Sequence, residues 1–269
     1  MAEKLCELRK KGGGGGRYNE TSLWTNPSPT SDFAGQEVTL SDSIENYKYI
    51  KINFAYATSY NTGKCNTSVV FSVDDFKNMT YSTNDRHNIG ALSVQNQSNT
   101  AYNRILFYVS NTAVRFGTCY QQGTNTASNA NSIPLEILGL NELDHGKRFD
   151  ETTLWTNNAP TNTFAGQSVT ISEDMDNFDY IKVKFRLSTT DATESSCSFV
   201  VSELKQFTTT SISPVGSIAG YTASSTSYAR FISYESDTSI KITGGFRLNT
   251  SGSSNSVLIP TSIVGCKFK

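Results

Sequence analysis

The chain has 269 residues, of which 36% are hydrophobic and 17% charged, and its formal net charge at pH 7 is −1. These proportions supply enough apolar residues for two ordinary cores, and the lack of a basic excess argues against nucleic acid as a partner. No segment approaches the roughly 18 consecutive apolar residues of a membrane-spanning helix, so we expect no membrane insertion.

The first 16 residues predict a tether. Five consecutive glycines, Gly12 to Gly16, follow a short segment that contains Leu5, Cys6, Glu7 and Leu8. Glycine-rich segments behave as flexible linkers, and residues 1–16 contain no apolar run of signal-peptide length. We therefore expect synthesis in a cytoplasm without signal-peptide export, and we take Leu5 to Leu8 as candidate anchoring residues.

The rest of the chain is an internal duplication. Residues 20–26 return 131 positions later as residues 151–157, and 21 of the 40 residues from 20 to 59 are identical to their counterparts. Later matches, such as Pro134 with Pro260, are separated by 126 positions. A separation this long indicates two copies of one domain, because supersecondary repeats have periods of about 20–50 residues. We predict domains at 17–143 and 144–269, preceded by the tether at 1–16.

Each copy contains a series of strand patterns. The clearest alternates apolar and polar residues over 49–56 and again over 180–187. Further strands are predicted at 36–41, 68–73, 104–109, 113–117 and 134–139, with counterparts at 167–172, 198–202, 230–234, 239–243 and 260–266. Short helical segments are predicted at 73–77 and 202–207, and capped turns at 41–47 and 172–178.

This series of elements predicts an all-β protein. Seven or eight strands in each copy, joined by turns, are typical of an antiparallel β-sandwich. We predict two tandem antiparallel β-sandwich domains, jelly-roll-like in type, in an elongated molecule. The segment Leu5 to Leu8 also resembles Leu140-Asn141-Glu142-Leu143 at the end of the first copy. It is therefore a candidate strand for addition to a neighbouring subunit.

Catalytic patterns are weak. His87 and His145 have no counterpart in the other copy, and both are predicted in loops as ordinary exposed side chains. Asp74 and Asp75 form a carboxylate pair of the kind that glycoside cleavage needs, but the pair is not repeated. We expect a protein that is not an enzyme and that uses no cofactor.

The stretch from Asp174 to Asp179 carries three carboxylates, at 174, 176 and 179, that could suit calcium. It lacks the central glycine and closing glutamate of the helix-loop-helix calcium site, and a solvated turn is the favoured interpretation. No metal is expected.

The five cysteines are Cys6, Cys65, Cys119, Cys197 and Cys266. They share no disulfide pattern between the copies, so reduced and mostly buried thiols are predicted.

The two tryptophans, Trp24 and Trp155, occupy the same place in both copies. Exposed indole rings can stack on sugar rings, which makes both residues candidates for ligand binding. Their apolar neighbours Leu23 and Leu154 favour the alternative, in which each ring anchors its strand in the core.

Three motifs define the module. Arg-[Tyr/Phe]-[Asn/Asp]-Glu-Thr-x-Leu-Trp-Thr-Asn begins at Arg17 and Arg148, Phe-Ala-Gly-Gln-x-Val-Thr at Phe33 and Phe164, and Asn-[Tyr/Phe]-x-Tyr-Ile-Lys at Asn46 and Asn177. Over residues 17–269 the chain resembles repeats in structural proteins of tailed bacteriophages, especially tail-fibre and other virion-appendage proteins.

The resemblance implies a virion location, contacts with other virion proteins through the N-terminal segment, and a homo-oligomer. It also implies contact with a host-surface glycan. The expected function is a non-enzymatic tail fibre or adhesion appendage that contributes to host attachment. The alternatives are a capsid head-fibre or decoration protein and a cellular carbohydrate-binding module.

Overall fold

The computed structural model describes residues 18–58, 67–80, 87–95, 100–124, 126–142, 149–192, 194–205, 213–221, 226–248 and 251–268. The predicted tether at 1–16, with Leu5, Cys6, Glu7 and Leu8, lies outside these residues. So do Cys65, His145 and the predicted domain boundary after residue 143.

The described residues form seventeen strands. Those of the first copy, repeat 1, are β1 (Tyr18–Thr25), β2 (Gln36–Thr39), β3 (Tyr49–Ala57), β4 (Thr67–Ser72), β5 (His87–Gln95), β6 (Ala101–Ser110), β7 (Ala113–Gln121) and β8 (Asn131–Glu142). Those of repeat 2 are β9 (Phe149–Thr156), β10 (Gln167–Thr170), β11 (Tyr180–Ser188), β12 (Glu194–Val200), β13 (Ser213–Tyr221), β14 (Ser227–Ser236), β15 (Ser239–Ile242), β16 (Phe246–Arg247) and β17 (Val257–Phe268). The prediction of an all-β protein is confirmed.

Helical structure is short, as the sequence predicts. The helices are α1 (Val73–Lys77) and α2 (Val201–Leu204), and one 3₁₀ turn stands before β3 and another before β11 (Ile44–Asn46 and Met175–Asn177). Ser43 and Asp174 cap the 3₁₀ turns, since each side chain accepts a hydrogen bond from the backbone N–H two residues on.

The strands pair antiparallel in two large sheets. One sheet has the order β1-β8-β3-β4-β12-β11-β17-β9, and the other has the order β10-β15-β14-β13-β5-β6-β7-β2, with β16 beside β14. Each repeat supplies four adjacent strands to the first sheet and four to the second. The two repeat sandwiches therefore lie side by side and share both sheets.

The connections within a repeat combine hairpins with crossovers. Eight strands in two half-sheets is the strand number of a jelly roll, and β8 lies between β1 and β3 while β7 lies beside β2. The other neighbouring strands of repeat 1 are consecutive in sequence. β3 and β4 form a hairpin, and β5, β6 and β7 form a meander.

The space between the sheets holds one continuous core. On β3 the inward residues Ile50, Ile52 and Phe54 are at most 3% exposed, and a single cluster of buried side chains includes residues of both repeats. Alternation along the strands places these residues, as the period-two pattern predicts.

The repeats meet at equivalent positions of both sheets. In one sheet β5 pairs with β13 in a register centred between Ala91 and its counterpart Ser217, and the Ser217 hydroxyl donates to the Ala91 carbonyl at 3.4 Å. In the other sheet β4 meets β12 where Val70 pairs with Ser198. Val70 and Ser198 are also counterparts. Val70 lies two residues before Ser72, which pairs with Tyr49 at the start of β3. Ser198 lies two residues before Val200, which pairs with Tyr180 at the start of β11. A pseudo-twofold axis therefore passes through both junctions.

Hydrogen bonds across the junction repeat this symmetry. The Ser68 hydroxyl donates to Glu203 Oε2 at 2.8 Å, and the Ser196 hydroxyl donates to Asp75 Oδ2 at 2.8 Å. Ser68 and Ser196 are counterparts, as are Asp75 and Glu203. Each repeat thus binds the helix of the other, as two subunits do across an isologous interface.

Two sequence-based assignments need correction at this junction. No strand is predicted at β5 or β13, and His87 is predicted in a loop, but its backbone begins β5 and pairs with Tyr221. Both strands contain small residues and lack a clear alternation because they are central strands, covered on both faces.

Candidate functional site

The tryptophans lie on the two outer strands of one sheet. Trp24 on β1 and Trp155 on β9 are half-buried and pack against the core. A bulge at Leu23 breaks the register of β1 with β8, and the same irregularity occurs at Leu154 on β9. The bulge lets two consecutive side chains face the core, so both rings pack against it while remaining partly exposed.

Each tryptophan belongs to a stack of duplicated residues. The Trp24 ring meets the Phe33 ring edge-on at 6.2 Å, and the Arg104 guanidinium lies 5.1 Å from the centre of that Phe33 ring. The corresponding distances are 6.2 Å for Trp155 and Phe164 and 5.4 Å for Arg230 and Phe164. The shared Trp and Phe motifs thus have a structural role in both repeats.

The arginines of these stacks are fully buried. Arg104 donates through Nε to the Ser132 carbonyl and through Nη1 to the Gly117 carbonyl, both at 2.7 Å, and Arg230 makes the corresponding bonds to Val257 and Thr243. Burial lowers the pKa of both guanidinium groups to about 10, which leaves them charged at neutral pH. Both charged groups donate hydrogen bonds to backbone carbonyl oxygens and so stabilise the backbone at the start of β8 and β17.

These arginines fix a strained backbone. Ser132 and Leu258 have φ values of 49° and 50°, a left-handed conformation that is uncommon outside glycine, and they are counterparts in the two repeats. Each arginine donates to one carbonyl at or next to these residues, that of Ser132 in repeat 1 and that of Val257 in repeat 2. The pattern was visible in the sequence as an arginine repeated at an inward strand position.

A groove of about 480 Å³ is present on repeat 2 near the junction. Its walls are Gln122, Gly166, Phe231, Thr243, Gly244, Gly245, Phe246, Ser253 and Asn255. The rings of Phe231 and Phe246 pack together at 4.5 Å and form its apolar part. Gln122 comes from repeat 1, so the groove is built by both copies.

The strand beside the groove has a short gap in repeat 2 that its counterpart in repeat 1 lacks. In repeat 1, β7 runs unbroken through Thr118 and Cys119. The counterparts of these residues are Gly244 and Gly245, which lie between β15 and β16 where the strand is interrupted. The pairing on either side of the gap is the same in both repeats, since Arg247 pairs with Tyr228 as Gln121 pairs with Tyr102.

Glycine is required at the interruption by close packing. A Cβ atom on Gly245 would lie 2.2 Å from the Ser254 carbonyl oxygen, and one on Gly166 would lie 2.5 Å from the Gly244 nitrogen. A Cβ atom on Gly244 would approach the movable end of Asn255 at 3.0 Å. Gly244 therefore has room for a side chain, whereas Gly245 has none.

The predicted acidic turn forms an ion pair with a lysine. The side-chain oxygens of Asp174, Asp176 and Asp237 lie within 4.8 Å of one another, and Lys205 Nζ is 2.6 Å from Asp176 and 2.5 Å from Asp237. Hydrogen bonds from Lys205 and then from the Tyr234 hydroxyl lower the pKa of Asp237. Repeat 1 has a simpler version, in which Lys77 lies 2.5 Å from Glu45.

The described cysteines are Cys119, Cys197 and Cys266, and all three are free and buried. Burial raises the pKa of the Cys119 thiol to about 12 and that of Cys266 to about 11. Thiols in this state are poor nucleophiles. For these three residues the prediction of reduced, buried thiols is confirmed.

Within the described ranges, neither helix has the length and apolar character needed to cross a membrane. Comparison of the chain with protein-family models, with curated proteins and with solved structures gives no match.

Proposed function

We propose that this chain is a non-enzymatic structural protein of a tailed-phage virion, a tail-fibre or adhesion appendage that contributes to host attachment. The observation that carries the proposal is the duplicated module with its Leu-Trp-Thr-Asn and Phe-Ala-Gly-Gln motifs, which resembles repeats of such appendages. A duplicated module whose copies share both sheets suits a projecting part of a particle.

The described polar groups with strongly shifted pKa values support a structural role. Arg104 and Arg230 bind backbone carbonyls, and Lys205 is held between two aspartates. The duplicated Trp and Phe side chains pack on the core. The sequence features common to both repeats are thus accounted for by folding.

The N-terminal segment is the proposed attachment point to the particle. The chain enters the fold through β1, which is an outer strand of its sheet. A tether joined there starts at the periphery, where Leu5, Cys6, Glu7 and Leu8 could add a strand to another virion protein.

Immunogold electron microscopy of particles tests the proposal. Antibody raised against the full chain should label the tail, and labelling of the capsid would instead favour the head-fibre or decoration function. Deletion of residues 1–16 should prevent incorporation while the circular dichroism spectrum of the purified protein stays unchanged. Particles without label, or normal incorporation of the deletion variant, would contradict the proposal and its anchoring step respectively.

A further inference from the structure

We propose that the outward face of β11 binds the carboxylate groups of an acidic saccharide. The saccharide part of the inference rests on the proposed attachment function, and the anionic part rests on two cations, Lys184 and Arg186. Both side chains are half-buried and alternate with the core residues Val183 and Phe185, so they point away from the core. The site belongs to repeat 2 and is distinct from the duplicated tryptophans.

Lys184 and Arg186 are neighbouring cations without a counter-ion in the chain. They lie two residues apart on one face of β11, which separates them by roughly 6.6 Å along the strand. Neither takes part in an ion pair between described residues, although Glu194 lies opposite Arg186 on β12. Lys182, the next cation on the same face, is paired with Glu151. The two unpaired cations are therefore available to an anion from outside the chain.

Arg186 also contains a buried donor that has no acceptor. Its Nε atom is shielded from solvent and makes no hydrogen bond within the part of the chain that the structure describes. Arg104 and Arg230 differ in this respect, since the Nε of each donates to a backbone carbonyl. A buried donor without a partner lowers stability, and such donors are rare in folded proteins. A carboxylate that accepts from Nε and from a terminal nitrogen of the same guanidinium would satisfy this donor.

Hydroxyl groups lie on both sides of Lys184. It pairs with Ser196 on β12 and with Ser262 on β17, and Ser262 pairs in turn with Thr156 on β9. Residues directly opposite each other share one face of a sheet, so the three hydroxyls and the ammonium group form one row. Hydroxyls can donate to carboxylate oxygens and can exchange hydrogen bonds with the hydroxyls of a sugar. The row therefore extends the site from the two cations toward the outer strand β9.

The corresponding face of repeat 1 has a different charge. Asn53 and Ala55 stand where repeat 2 has its two cations, and Glu136 stands where repeat 2 has Ser262. Asn53 Nδ2 donates to Glu136 Oε2 at 3.3 Å, so these polar groups are paired within the chain. The sandwich forms with either set of residues. Folding therefore does not account for the two unpaired cations of repeat 2.

An acidic saccharide fits this face better than nucleic acid does. The net charge of the chain is −1, whereas binding to a phosphate backbone depends on a broad basic surface. Two cations beside a row of hydroxyls match single carboxylate groups spaced along a sugar chain.

NMR titration of the full chain with oligogalacturonate tests the inference, and the methyl ester of the same oligosaccharide is the matched uncharged probe. We expect the acidic form to shift the amide signals of residues 184–186 and the ester to leave them unchanged. The affinity should fall as the salt concentration rises, because the attraction is between charges near the surface. Inorganic sulfate is a third probe, which carries charge without a sugar.

Three variants introduce the residues that repeat 1 has at these positions. Lys184→Asn and Arg186→Ala should each weaken binding about three- to tenfold, since each removes one charged donor. Ser262→Glu places a carboxylate beside the ammonium group and should weaken binding at least about tenfold. Lys241→Gln, at an exposed position of β15, removes the same charge elsewhere and should change the affinity by less than about twofold. Thermal unfolding shows whether each variant is folded.

The probes and variants together separate the possible outcomes. No binding by the unmodified chain, equal binding of acid and ester, or unchanged affinity in the three site variants would overturn the inference. A response to sulfate without one to the acidic oligosaccharide would assign the face to a free anion and would overturn the saccharide. Immunogold labelling of the particle is independent of these results, so failure of the site and failure of the virion function can be told apart.

Discussion

At the scale of single residues, both repeats contain a buried arginine whose structural role was not predicted from the sequence. Arg104 and Arg230 are buried without a carboxylate partner among the described residues, and each guanidinium is satisfied by backbone carbonyls. A buried charge is tolerated only when it is well hydrogen-bonded. Each arginine therefore stabilises the backbone around a left-handed residue, which is Ser132 in repeat 1 and Leu258 in repeat 2.

Replacing Arg230 by Met should destabilise the protein substantially. The substitution removes the guanidinium donor from the carbonyls of Thr243 and Val257, whereas the Asn255 carbonyl still accepts from the Phe164 N–H; buried unsatisfied carbonyls cost about 1–3 kcal/mol each. We expect a loss of roughly 3 kcal/mol in the free energy of unfolding, measured by urea denaturation. Arg115→Met, at an exposed position of β7, is the control and should change stability by less than about 0.5 kcal/mol. A loss below about 1 kcal/mol for Arg230→Met would disprove the role assigned to it.

The lysine between Asp176 and Asp237 makes a prediction about acid titration. Because the pKa of Asp237 is lowered, its ionised carboxylate favours the folded state above pH 3.8, and this contribution is lost as the pH falls through the lowered value. Lys205→Met removes the first cause of the shift. We expect the pKa of Asp237 to rise toward 3.8, measured by carbon-13 NMR of the carboxyl group.

Lys77→Met is the matched control for this titration. It should raise the pKa of Glu45, which Lys77 lowers, and leave that of Asp237 unchanged. An unchanged pKa of Asp237 in Lys205→Met would show that the Tyr234 hydroxyl, rather than the ammonium group, lowers it.

At the scale of strands, strand positions are predicted best from the sequence where one face of the strand is polar. β3 and β11 alternate regularly, since their outward residues are partly exposed, and both were identified from periodicity alone. β5 and β13 were missed because they are central strands rich in glycine, alanine and serine. Their pairing depends on the opposite repeat, which no local pattern can reveal.

The interrupted strand of repeat 2 makes a prediction about two neighbouring glycines. Gly245→Ala would push its Cβ atom to within 2.2 Å of the Ser254 carbonyl oxygen, a backbone atom that cannot move freely. Overpacking of this kind costs about 1–3 kcal/mol. Gly244→Ala meets only the end of the Asn255 side chain and should change the free energy of unfolding by less than about 0.5 kcal/mol. Chemical denaturation of both variants measures the difference, and equal effects would mean that the interruption is not held by this contact.

At the scale of the whole molecule, the sequence predicts the two copies but not how they join. Repetition at separations of 131 and 126 defines the modules, and the all-β class follows from their strand patterns. The shared sheets could not be predicted, because they arise from pairing between residues such as Val70 and Ser198 that are far apart in the chain. The junction pairs each inner edge strand with its own counterpart, which covers edges that would otherwise be open to aggregation.

This symmetry predicts that a single repeat forms a dimer. In residues 144–269 alone, β12 and β13 would lose β4 and β5, but the register of the junction lets each pair with the same strand of a second copy. Ser198 would meet Ser198 of the other molecule, and Ser196 would reach its Glu203 as it now reaches Asp75. Light scattering coupled to size-exclusion chromatography should give the mass of two repeats.

Ser198→Lys separates this dimer from nonspecific association. In the dimer of single repeats the substitution brings two lysines together at the twofold axis, and like charges directly opposite each other weaken strand pairing. In the full chain the same lysine faces Val70 across the junction, and the like charge beside it, Lys182 on β11, is present equally in the isolated repeat. We therefore expect the substitution to shift the isolated repeat toward monomer and to leave the mass of the full chain unchanged. A folded monomeric repeat, or a dimer that is insensitive to the substitution, would show that the junction depends on differences between the copies and not on the symmetry they share.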